Sequence, residues 1–184
     1  MKRVLVPFAN GFEEIEAITI VDILRRAGAE VCTAALEKKN VEGSHGIKMI
    51  TDVVLDDVVK EDWDLVVLPG GVPGAPNLMD DDRIIKLLKD QAEAQKTSAA
   101  ICAAPAVLEK AGLTKNLEVT SHPAWADRMI TAIHTGERVQ SAQRIITGQA
   151  AGSAMEFAFK LVEFLFGPDK VEEVNTGVIA RLDP

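Results

Sequence analysis

The segment SAAICAAPAVLEKAG, Ser98–Gly112, decides the fold. Its first half, SAAIC, is a short run of small and apolar residues that reads as a buried strand. Its second half, APAVLEKAG, reads as a helix. Pro105 suits the first turn, where its missing N–H has no intrahelical partner to lose, and Gly112 suits the stop. A strand that passes into a helix with almost no loop is the basic step of an alternating strand–helix chain. The residue at the junction is Cys102.

The same step recurs on both sides. Upstream, DLVVLPGG gives a strand over Asp64–Leu68 that stops at Pro69-Gly70-Gly71, and RVLVPF gives another over Arg3–Phe8. EEIEAITIVDILRRAG follows as a helix. Ile15, Ile18, Val21 and Leu24 recur at helical spacing, Arg25 and Arg26 suit the last turn, and Gly28 ends it. EVCTAAL is a further strand. Ile47–Ile50 and Val53–Leu55 read as short strands or a hairpin, and DDRIIKLLKDQAEAQ as an amphipathic helix. Downstream, LEVTSHP reads as a strand ending at His122-Pro123 and ERVQSAQRIITGQ as a hairpin. SAMEFAFKLVEFLFG and PDKVEEVNTGV read as helices. No linker or repeat divides the chain, so residues 1–184 are expected to form one α/β domain. Its sheet should be doubly wound and mostly parallel, with helices on both faces.

Composition narrows the class. The chain carries 20 Lys+Arg against 28 Asp+Glu, a net charge of -8, and no basic cluster longer than LRRAG or LEKKN. Such a surface repels phosphate backbones, so no nucleic acid is expected as partner. No stretch approaches the ~18 apolar residues of a membrane span, so no membrane association is expected. The start of the chain lacks the apolar run of a signal peptide, and a cytoplasmic protein is expected. The two cysteines, Cys32 and Cys102, form no C-x-x-C pair and have no His at ligand spacing. Free thiols are expected, with Cys32 a packing residue in an apolar strand.

In a doubly wound sheet, ligands bind beyond the carboxyl ends of the strands. Cys102 stands at one such end, in a turn tight enough to resemble a nucleophile elbow. The N–H groups that follow, that of Ala103 included, bring the positive end of a helix dipole toward the sulfur. On that ground the thiol pKa should be lowered. Gly70 and Gly71 allow close backbone approach and offer a donor opposite the cysteine. LPGG is not a phosphate-binding P-loop, because no Lys-Ser/Thr follows. Glu13 and Glu14 are explained by the dipole of the first helix. Glu16 differs: flanked by Ile15 and Ala17, a buried carboxyl there should titrate high and serve as acid or base. His122 ends another strand, where it fits either a turn or a proton shuttle.

Taken together, GFEEIEA, VDILRRAG, DLVVLPGG, AAICAAP, VTSHP and MEFAFKLVE stand in the order found in the ThiJ/PfpI superfamily. Over nearly the whole chain the sequence resembles most closely its parkinsonism-associated deglycase (DJ-one) branch. The resemblance implies a flavodoxin-like sandwich and a homodimer. It implies Cys102 as nucleophile and a protonated Glu16 hydrogen-bonded to the thiolate. Gly71 and Ala103 would be backbone donors and His122 would lie nearby, with no metal or organic cofactor. It further implies cofactor-independent glyoxalase III or deglycase-type conversion of methylglyoxal, glyoxal or their protein adducts to hydroxyacids. The same cysteine would serve the alternative, an oxidative-stress sensor or holdase chaperone. Ala103 stands where the superfamily's proteases place a histidine, and Pro123 rather than an acid follows His122, so a Cys-His-acid peptidase is disfavoured. An amidotransferase is disfavoured by the lack of a synthase domain and of a His-x-Glu near the end. Two departures stand out: AAGS at Ala150–Ser153 where many relatives have GPGT, and His45 where many have arginine.

Overall fold

β1 (Arg3–Phe8) is apolar along its length because both of its faces are covered. Val4, Val6 and Phe8 point to one side and Leu5 to the other, so successive side chains feed two separate cores. The computed structural model describes residues 1–182. After β1 come α1 (Glu14–Arg26), β2 (Glu30–Ala35), β3 (Asn40–Glu42), β4 (Lys48–Ile50), β5 (Val53–Val54) and α2 (Leu55–Val58). The middle of the chain holds β6 (Leu65–Leu68), α3 (Gly74–Asp80), α4 (Asp82–Glu93), β7 (Thr97–Ile101) and α5 (Pro105–Lys110). Then follow β8 (Glu118–Val119), a 3-10 helix over Pro123–Arg128, β9 (Ile133–His134), β10 (Val139–Ala142) and β11 (Ile145–Gly148). A 3-10 turn at Ala151–Ser153 leads into α6 (Ala154–Phe166) and α7 (Pro168–Val178).

The main sheet has seven strands in the order β10-β11-β7-β6-β1-β2-β5. All pairs are parallel except β10 with β11. Residues of α1 and α6 cover one face, and α3, α4 and α5 cover the other. This is the flavodoxin-like, doubly wound α/β arrangement expected from the sequence. The order reverses at β1, with β2 on one side and β6 on the other, and that is where such sheets open a crevice.

Several local expectations change. Lys48–Ile50 pairs with Asn40–Glu42 in a separate hairpin, while Val53–Val54 joins the main sheet beside β2 and Leu55 already begins a helix. A further helix, α3, covers GAPNLMD, a segment to which the sequence assigns no element. The strand before His122 is only Glu118–Val119, and it pairs with β9 rather than with the main sheet. The core side of α1 is Ala17, Ile20, Val21 and Leu24; Ile15 and Ile18 lie on the surface. Among the described residues, no helix is long and apolar enough to cross a membrane.

Candidate active site

Three carboxyl-edge segments, after β1, β6 and β7, and one loop from the small β8–β9 sheet converge on Cys102. The cysteine has φ +65°, a left-handed turn that a non-glycine residue adopts only when its surroundings hold it there. They do. Its N–H donates to Gly148 O at 3.0 Å, and its carbonyl accepts from His122 N at 2.9 Å. The Ala104 N–H donates back to Ile101 O, which tightens the step, and Pro105 opens α5. Cys102 itself is half-buried, with Ala103 and Gly71 N–H groups directed at its sulfur.

Glu16 is fully buried in the first turn of α1. The Glu13 carboxylate caps that turn by accepting from Glu16 N at 2.7 Å. Glu16 Oε2 accepts from Gly70 N at 2.8 Å and Oε1 has no hydrogen-bond partner, while the carboxyl as a whole lies beside the Cys102 thiol. Burial pushes the carboxyl up to about 7, against the Cys102 and Gly70 hydrogen bonds. The expected lowering of the thiol is not found. Burial first, then the Glu16 charge, push Cys102 up to about 12, and the Ala103 and Gly71 N–H groups offset only part of this. Helix polarity is outweighed here by the desolvation of the sulfur and by the acid facing it. The pair therefore resists carrying two negative charges at once.

The glycines are there for space. A methyl group on Gly70 would stand 2.7 Å from both Cys102 Cβ and Glu16 Oε2. Gly71, at φ +98°, has the Gly11 carbonyl where a Cβ would go. His122 is brought to the site by its backbone. Its ring faces the following turn, where Nδ1 accepts from Ala124 N at 3.1 Å, so in the neutral ring Nε2 carries the proton. Cys32 lies away from this cluster on β2, half-buried, its thiol pushed up by burial to about 11.

These features, a cysteine elbow after the fifth parallel strand with a buried glutamate from the first helix, match a known family over residues 2–164. The chain belongs to the DJ-1/PfpI family. It is 41% identical over 179 residues to the DJ-1 homolog A of Arabidopsis thaliana, covering 96% of this chain and 46% of that protein, so the chain spans about half the length of that relative. It is 36% identical over 164 residues to a Caenorhabditis elegans protein named glutathione-independent glyoxalase DJR-1.2, covering 88% of this chain and 87% of the relative. Among solved structures, Drosophila melanogaster DJ-1beta superimposes with a TM-score of 0.95 at 36% identity, covering 98% of each chain.

Within this DJ-1/PfpI domain, sequence reasoning missed the role of Glu14. Its side chain is 6% exposed and holds the loop at 43–47. Oε1 accepts from His45 N at 2.7 Å and Ile47 N at 3.3 Å, while Oε2 takes Ser44 Oγ at 3.2 Å and His45 Nδ1 at 2.9 Å. Burial works to raise this carboxyl, but the His45 and Ile47 donors outweigh it and hold Glu14 at about 2. So Glu14 is a loop anchor rather than a dipole charge. His45, the arginine departure, has an exposed ring whose pKa is raised by its hydrogen bond to Glu14. The AAGS departure is a closed turn, in which Ser153 Oγ bonds both the N–H and the carbonyl of Ala150. Glu13, Glu14 and His45 are the one set of metal-capable donor atoms among the described residues lying within 4.8 Å of one another. Glu14 and Glu13 are already engaged there by protein donors.

Proposed function

We propose that this DJ-1/PfpI member is a cysteine-dependent enzyme of the glyoxalase III or deglycase type. It would act without a cofactor on small α-oxoaldehydes such as methylglyoxal and glyoxal, or on their protein adducts. The observation that carries the reading is the Cys102 sulfur, presented on a φ +65° turn beside the carboxyl of a fully buried Glu16, one oxygen of which has no partner. The name of the C. elegans relative supports the same chemistry.

The Cys102–Glu16 pair resists a second negative charge, and with its carboxyl pushed up to about 7 it takes on its one charge within the neutral range. When the proton sits on Glu16, the sulfur receives three donors: the Glu16 carboxyl O–H, Ala103 N–H and Gly71 N–H. That arrangement favours the thiolate with a neutral acid, and removes the repulsion that raises the thiol. The thiolate adds to the aldehyde carbon as the C=O π bond opens onto oxygen, and the new alkoxide takes the Glu16 proton, giving a hemithioacetal and leaving Glu16 as the carboxylate base for the next step. Backbone donors beside the sulfur stabilise the charge that develops on that oxygen. A proton then leaves the former aldehyde carbon and is returned to the neighbouring carbon through Glu16, with His122 Nε2 as the second exchangeable site. The product is a thioester of a hydroxyacid. Water cleaves it, releasing the acid and restoring the thiol, with no net oxidation. Lactate formation from methylglyoxal checks the reading: Cys102→Ser should fall to the background rate, and wild-type turnover by that variant would overturn it.

A second reading uses the same sulfur as an oxidation sensor. The donors around Cys102 would also stabilise a sulfinate, whereas Cys32 has no such set. Mass spectrometry after mild peroxide should find Cys102 oxidised ahead of Cys32. We also propose a homodimer, seated on the exposed Ile15 and Ile18 of α1 and the adjoining Ile47. Ile18→Glu should convert a dimer to monomers in sedimentation.

A further inference from the structure

The opposite, amino edge of the sheet holds a crevice of about 550 Å³, walled by the ends of α4, β7, β11 and α6. It is separated from the cysteine by the length of β7, roughly 15 Å at the usual strand rise. Its charge is the reverse of the rest of the molecule. In a chain of net charge -8, it is lined by Lys96 and Arg144 and by no acidic residue. The crevice at the carboxyl edge contains Glu37, Asp80 and Asp81, and the one beside α7 contains Glu156, Glu163 and Glu172. Among the described residues Arg144, exposed in the β10–β11 turn, makes no ion pair, while Lys96 is shared with the exposed Asp62. The carbonyls ending α4 add little negative character, because those of Asp90, Gln91 and Ala92 already accept from Ala94, Lys96 and Gln95 N–H.

The floor of the crevice carries two buried hydroxyls without partners, Thr97 Oγ1 and Ser98 Oγ, on residues that are each 1% exposed. Strand alternation puts Ser98 on the sheet face of Ala100 and Ile145, which Leu113 and Leu117 also cover, and Thr97 on the α6 face, where Phe164 lies. Buried hydroxyls are rarely left unpaired in a folded protein, and each remains able to donate. The apolar wall is itself unusual, since Phe164 is left 45% exposed beside the cations.

We propose that this crevice is a second binding site, for a small organic carboxylate with an apolar body. The carboxylate pairs with the Arg144 guanidinium, whose fork matches both oxygens, with Lys96 adding charge. Ser98 and Thr97 give the hydroxyl donors at the floor, and the apolar body lies against Phe164, Leu113 and Leu117. A volume of about 550 Å³ falls in the ordinary range for small-molecule sites. The site uses no residue of the Cys102 cluster, so it stands or falls apart from the proposed activity.

The test is an amide-resolved NMR titration of the intact protein with benzoate, with benzamide as the neutral match and inorganic phosphate as the anion lacking an apolar body. Benzoate should shift Lys96–Ser98 and Gln143–Ile145, saturably and at millimolar concentration. Arg144→Gln, in an exposed turn, should weaken it about tenfold, one charge-assisted pair's worth. Benzamide and phosphate should each bind at least several-fold more weakly. Equal binding of benzamide overturns the carboxylate assignment, and equal binding of phosphate overturns the apolar subsite. The absence of shifts in these segments, or shifts centred on Cys102, overturns the site.

Discussion

Glu14 and Glu16 lie two residues apart in the first turn of α1, are both buried, and titrate in opposite directions. The surroundings of Glu14 are a nest: a loop folds over the carboxylate and supplies backbone and side-chain donors to both oxygens. Those of Glu16 are a slot with one backbone donor on Oε2 and a thiol beside Oε1. Burial raises a carboxyl in both places, and donor count decides whether it stays raised. The nest gives a structural ion at about 2 and the slot an acid at about 7. One carboxylate holds a loop as an ion, while burial lets the other keep its proton up to about 7.

The comparison breaks most visibly in activity. Glu16→Gln removes the exchangeable proton, and turnover of methylglyoxal should fall by about a hundredfold or more. In parallel, the pH profile of Cys102 alkylation should lose the inflection near 7 that the pair gives to the wild type. An unchanged profile in this variant would mean that Glu16 does not govern the sulfur.

Stability gives the next contrast, and the signs are opposite. Glu14 is held at about 2, below the ordinary carboxyl value of about 4.3, so the folded state prefers the charged form. Its contribution is present above about pH 4.3 and is lost as pH falls toward 2. At neutral pH it amounts to about 3 kcal/mol as an upper figure. Denaturant titrations at pH 7 should find Glu14→Gln less stable, with the gap to wild type closing at pH 2–3. Glu16 works the other way. Its raised carboxyl keeps its proton in the fold while the unfolded chain ionises, so it lowers stability as pH rises from about 4.3 to about 7. Glu16→Gln should therefore gain on wild type across that window, by about 2 kcal/mol at its top after allowance for what the thiol shares. A variant less stable than wild type at pH 8 would contradict the slot's description.

The smallest effect belongs to His45. Its raised pKa means that the ion pair with Glu14 helps below the ordinary histidine value and is lost as pH climbs through the folded one. Because the ring is exposed, solvent screens the pair. The melting temperature of His45→Ala should fall less than that of Glu14→Gln, and more at pH 6 than at pH 8.

Much of this was legible beforehand because apolar periodicity and stop signals are local. RVLVPF, DLVVLPGG and SAAIC named three parallel strands, and the Cys102 step followed from their order. Ala103 could be placed because a strand end fixes where the next N–H groups point, whereas only the family resemblance singles out Gly71 from Gly70. What stayed hidden depends on residues far apart in the chain. Glu14 meets its partners 30 or more positions later, through a loop with no periodicity. The strand β5 borrows its neighbour from β2, and β8 leaves the main sheet for β9. The direction of the Cys102 shift was misread because helix polarity is visible in a sequence, while desolvation by packed neighbours is not.

Cys102 is fastened at both ends: its N–H to β11 of the main sheet, its carbonyl to the segment that follows β8. A residue bridging two sheets behaves as a rivet rather than a hinge. When the sulfur gains atoms, from an aldehyde or from oxygen, the backbone beneath it has little slack to absorb them. The added group must instead find its room beside Gly70, where a Cβ would stand 2.7 Å from Cys102 Cβ, and its hydrogen bonds at the Gly71 and Ala103 N–H groups. The space beside Gly70, left by one missing methyl group, then becomes the ruler against which every adduct of this cysteine is measured.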